Sequence, residues 1–180
     1  MATTAAGTPY VESSDLVANY PGVSLALANH IDGLDGGKVL QVVQGVSTTA
    51  TTIASTSLTD TGLSATITPR SASNKILVMV EQAATSSRSA NTCSFSLAIL
   101  RNSTVIYGND QPYEEQLIVI GATSVNNRTR YNRKYLDSPS TTSPITYKTQ
   151  AAVETTANAG QLVCQLGAIE SIIILMEVAA

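Results

Sequence analysis

The chain is 180 residues long, with a net charge of −3, 43% hydrophobic residues and 13% charged residues. That length suits one domain, or one domain with a short appendage, and so little charge excludes a disordered chain. The acidic balance gives no electrostatic basis for nucleic acid, and no run of about eighteen apolar residues exists to insert into a membrane.

The N-terminal MATTAAGTPYVESS has neither the basic start nor the apolar core of a secretory signal, so assembly in the cytoplasm is expected. From Val11 to Leu34 the period is helical, and Val23, Leu27, Ile31 and Leu34 recur as one stripe. Pro21 and Gly22 interrupt the region, which predicts two short helices, about 14–20 and 22–32, the first capped by Ser13 or Ser14 with Asp15 in its first turn. Leu16 and the stripe residues cannot bury themselves on such short helices, so residues 1–37 read as an anchor arm that needs a partner surface. A GLDGG hinge at 33–37 closes it.

From Lys38 onward the period changes to two. Strands are predicted at 38–44, 51–58, 63–68, 75–83, 93–101, 104–108, 116–120, 131–136, 144–153, 162–166 and 171–178. In SFSLAIL, Phe95, Leu97 and Ile99 oppose Ser94, Ser96 and Ala98; Arg101-Asn102-Ser103 reads as a hairpin turn. The closing SIIILMEVA is apolar at every parity and reads as a central strand buried on both faces. Twenty Ser and twenty-three Thr suit pleated surfaces and turns. The expected fold class is all-β: an antiparallel β-sandwich or jelly-roll-like domain over 38–180, preceded by the short helical N-terminal arm.

Catalytic chemistry is hard to place. The single His30 lies beside Asp32 and Asp35 but near a predicted helix C-terminus, where a cation has a structural role. Three copies on a trimer axis are the alternative, as a metal site. Glu114 and Glu115 are adjacent, so on a strand they point to opposite faces, a poor arrangement for a glycosidase pair. No phosphate loop, nucleophile elbow or CxxC is present, so no enzyme and no cofactor are expected. Cys93 and Cys164 read as free, buried thiols, and the sequons at Asn102 and Asn127 as unused.

Two surfaces could bind. NNRTRYNRKYLDS (126–138) gathers Arg128, Arg130, Arg133 and Lys134 around Tyr131 and Tyr135, which suits anionic sugars or phosphates, or else a sheet edge protected from stray pairing. YGNDQPYEEQ (107–116) offers Tyr107, Asn109, Asp110 and Tyr113, a composition shared by carbohydrate sites and ordinary loops.

Five phrases carry a family resemblance: GKVLQVVQ (37–44), SLTDTGLSATITPRSASNKILVMV (57–80), LRNSTVIYG (100–108), YLDSPSTTSPITYKTQ (135–150) and ESIIILMEVAA (170–180). In this order they resemble small phage tail-fibre-type virion proteins of marine and freshwater bacteria, including cyanophages. The resemblance implies a compact β-sandwich, a homotrimer, and attachment through the N-terminal part to other virion proteins of the baseplate, tail or neck. It implies a virion location and a β knob that contacts host cell-surface carbohydrate. Alternatives are a neck, capsid or baseplate decoration protein with no receptor role, a free carbohydrate-binding module, and a depolymerase.

Overall fold

The computed structural model describes residues 2–3, 9–10, 38–89, 93–108, 115–117 and 125–180. The chain divides into two units, Met1–Lys38 and Val39–Ala180. In the first, β1 (Ala2–Thr3) and β2 (Pro9–Tyr10) pair antiparallel. The helices expected at 14–20 and 22–32, with Leu16, Val23, Leu27, His30, Ile31 and Leu34, lie outside the described residues.

The second unit is built from β3 (Val39–Ser47), β4 (Thr51–Ile53), β5 (Thr59–Ile67), β6 (Lys75–Arg88), β7 (Cys93–Arg101), β8 (Thr104–Tyr107), β9 (Glu115–Leu117), β10 (Val125–Asp137), β11 (Ile145–Val153), β12 (Gln161–Cys164) and β13 (Ser171–Val178). All pairings are antiparallel. In the larger sheet, β6 is the spine. One of its edges carries β10 along its whole length; the other carries β13 and then β12, flanked in turn by β3 and β4. The smaller sheet runs β5-β11-β7, and β8 and β9 share the far edge of β7.

The inner faces of the two sheets meet in one cluster around Leu63, Ile67, Ile99, Ile145 and Tyr147 from the smaller sheet and Ile76, Val78, Ile173 and Leu175 from the larger. A second cluster joins Phe95, Leu97 and Val153 to Ile53, Leu162, Cys164 and Tyr131. Each large side chain removed from water in this way contributes ~1.5–3 kcal/mol. Burial pushes the Cys164 thiol up to about 12, as an inert, free sulfhydryl.

A polar layer separates the clusters. Along β6, Gln82 takes the inward position between Val80 and Ala84; along β11, Thr149 takes the one between Tyr147 and Ala151. Gln82 Oε1 accepts from Thr149 Oγ1 at 3.0 Å and Thr61 Oγ1 at 3.2 Å, and its Nε2 donates to Ser171 Oγ at 2.9 Å. Ser171 Oγ also accepts from Ala83 N, so its own proton goes to Gln165 Oε1 at 3.0 Å. Gln165 Oε1 further accepts from Gln82 Nε2 at 2.7 Å, while Gln165 Nε2 donates to the carbonyls of Thr61 and Thr49. Five fully buried side chains thus satisfy one another.

The two open sides of the sandwich are closed differently. On one, β3 and β5 approach so closely that a Cβ on Gly45 would lie 2.1 Å from the Ser64 carbonyl oxygen. On the other, Asp137 at the end of β10 receives two 3.0 Å bonds from Arg101 of β7 and one of 2.7 Å from Tyr147 Oη of β11. Burial raises the Tyr147 pKa, and the bond to Asp137 raises it further. Glu177 of β13 fastens the loop between β5 and β6, accepting from Asn74 Nδ2 and Gln41 Nε2 at 2.6 Å and Arg70 N at 2.7 Å.

Several expectations shift. The strand predicted at 51–58 stops at Ile53, because Ser55 and Ser57 form a hydroxyl-bonded turn. Gly62 lies inside β5 rather than between strands: at φ +84 it sits in a bulge where the pairing passes from Ser64–Lys148 to Asp60–Gln150. The hairpin at Asn102-Ser103 is as expected, with Asn102 at positive φ. Finally, β13 is central, between β3 and β6, but only its Ile173–Leu175 face enters the core. Ile172, Ile174 and Met176 lie half-buried on the outer face, not doubly buried as the apolar run suggested.

Candidate functional site

The basic segment forms most of β10, whose one strand partner among the described residues is β6. Its parity sorts the side chains. Tyr131, opposite Gln82, turns inward, is 6% exposed and meets Phe95 edge-to-face with ring centroids 4.9 Å apart. It is core, which corrects its expected place beside the arginines on a binding surface. Arg128, opposite Thr85, and Arg130, opposite Ala83, turn outward and are exposed.

These two arginines border a groove of about 210 Å³. Ala83 and Thr85 make its floor, and Leu166 and Ile169 stand on the far side. The far wall is the turn after β12, where Gln165, Gly167 and Ala168 all take positive φ. The turn is held from beneath: Gln165 N donates to Ala83 O at 3.1 Å, and the Gln165 side chain is locked into the polar layer. Arg130 is paired with Glu81 and donates to the Glu170 carbonyl at 3.4 Å. Arg128 has no hydrogen-bond or ion-pair partner among the described residues.

Tyr107 goes elsewhere. It packs on Tyr135 with centroids 5.8 Å apart, where β8 and β10 border the sandwich opening, five residues along β10 from Arg130. Asn109, Asp110 and Tyr113 lie outside the described residues, as does Glu114. On the outer face of the smaller sheet, Asp60 binds Lys148 Nζ and Gln150 Nε2. Burial works to raise its pKa, but these bonds outweigh it and hold the carboxyl below its ordinary value.

Sequence reasoning missed a second surface. The register aligns Val42, Met176, Leu77 and Leu136 in one row across four strands of the outer face of the larger sheet. The next row adds Ile174 and Met79 between Gln44 and Lys134, and the next Val46 and Ile172. Val42 is 55% exposed and Leu136 49%. An antiparallel sheet with one wet face ordinarily places polar residues there. The signal was available in SIIILMEV, whose two parities are both apolar.

No family model and no curated protein matches the chain. Among solved structures it is similar to dimeric latent PorU from Porphyromonas gingivalis, at 7% identity and TM-score 0.46, covering 77% of this chain and 12% of that one. It is also similar to the infectious bursal disease virus Gx strain structure, at 11% identity and TM-score 0.39, covering 78% of this chain and 38% of that one. A third is the VP2 subviral particle of the same virus, at 13% identity and TM-score 0.35, covering 78% and 37%. The chain spans well under half the length of each of these structures.

Proposed function

We propose that this chain is a structural component of a phage virion, a short trimeric fibre that docks through its N-terminal arm and presents its β domain to the host surface. The ordered series of sequence phrases supports the virion reading. The apolar outer face of the larger sheet carries the assembly part of it. Four strands at ~4.8 Å spacing and about five residues at ~3.4 Å rise make a footprint of roughly 300 Å², in which eight of the twelve outward positions are apolar and Gln44, Lys134, Glu81 and Asn132 are not. Its apolar share, about 200 Å², is below the ~300–600 Å² of the largest patch on a typical monomer. It is under half of the ~800 Å² each partner brings to a standard interface, so it forms one part of a larger contact between copies.

The test is particle assembly. Full-length chain is expected to join particles as an oligomer, whereas a chain lacking residues 1–36 folds and stays outside them. Incorporation of the truncated chain rules out the anchor. The decoration reading shares the assembly face and drops the receptor, so it is favoured if purified protein fails to label host cells.

A further inference from the structure

Resting on the host-surface reading, we propose that the groove between β10 and the Gln165–Glu170 turn binds a carboxylate-bearing sugar unit of a surface polysaccharide, with Arg128 taking the carboxylate. Its volume, about 210 Å³, is below the ~300–1,000 Å³ of pockets that enclose drug-sized ligands, so it fits a single ring or small group. The floor at Ala83 and Thr85 is formed by small outward-facing residues that are nonetheless buried, and with Leu166 and Ile169 it offers an apolar seat for the C–H face of a ring.

The charges narrow the ligand. Glu81 offsets Arg130 and fixes its guanidinium, while Arg128 is left to bind a planar anion through two parallel N–H groups. Glu170, exposed at the end of the wall, disfavours polymers crowded with sulfate or phosphate and favours one charge per ring. The site is preorganised, because its far wall grows from Gln165, which the core holds by its amide. The groove lies where β12 borders β6, beyond Glu81 from the apolar rows, which lie where β13 does. A single site of this size is weak, and three copies on one trimer raise avidity through effective concentration.

Titration of full-length protein with oligogalacturonate, its fully methyl-esterified form, dextran sulfate and poly-glutamate tests the idea. The free acid is expected to bind, and esterification to weaken binding at least tenfold. Arg128→Ala is expected to lose roughly 10–100-fold, the range for one charged hydrogen-bonded contact, with thermal midpoint and oligomeric mass unchanged. Arg128→Lys is expected to recover part of the loss. Equal binding of acid and ester, an unaffected Arg128→Ala, or equally tight binding of dextran sulfate or poly-glutamate overturns the proposal. Any of these results in protein that still joins particles overturns the groove assignment alone.

Discussion

Gln82 of β6 and Gln165 of the turn after β12, both fully buried, meet amide to amide at 2.7 Å between the two core clusters. The pair ties the spine strand to the turn that walls the groove. Gln82→Met keeps the volume but removes one hydrogen-bond partner each from Thr61, Thr149, Ser171 and the Gln165 side-chain carbonyl, which keep only their bonds to one another and to backbone. We expect a loss of about 2–4 kcal/mol, read as a lower urea midpoint at constant slope. A loss under ~0.5 kcal/mol would show that the layer is not a satisfied network.

Gly45 is the second sensitive position. Its Cβ would collide with the Ser64 backbone and with Ile173 Cγ2, at 2.1 and 2.9 Å, and backbone cannot swing aside as a side-chain tip can. Gly45→Ala is expected to cost several kcal/mol, about 3 or more, by forcing β3 and β5 apart. An unchanged thermal midpoint contradicts that close approach.

How much of this was legible in sequence varies with the kind of residue. Strand positions were, because alternation such as Phe95, Leu97, Ile99 is a local signal. β6 was read to Ala83 but runs to Arg88: its last residues, ATSSR, are small or polar and become buried only through pairing with β10 and β12. Likewise β10 was read as 131–136 and spans Val125–Asp137, since a strand can be polar on its outer face. Gln82, Thr149, Gln165 and Ser171 look like surface residues; only the pairing of distant strands brings them together. Tyr131 is the exception. Parity alone sets it opposite Arg128 and Arg130, so a strict strand reading separates the tyrosine from the arginines.

Glu177 makes stability depend on acid. Burial works to raise its pKa, but bonds from Asn74, Gln41 and the backbone of Arg70 and Ser71 outweigh burial and hold it below its ordinary value. A carboxyl depressed in the folded state stabilises fully above its unfolded pKa, near 4.3, and loses that contribution as pH falls through the folded value. Glu177→Gln turns an amide toward existing donors. It is expected to cost about 1–3 kcal/mol at neutral pH and to flatten the fall in stability below about pH 4.5. An acid limb parallel to that of the parent chain contradicts this role.

The central claim is that copies of this chain assemble with each other, partly through the face of Val42, Met176, Leu77 and Leu136. Light scattering on the full-length protein tests it most directly. A mass of three times 18.8 kDa is predicted, falling toward the single-chain mass in Met176→Glu while the β-sheet circular dichroism is retained. A parent chain that runs at 18.8 kDa contradicts the account.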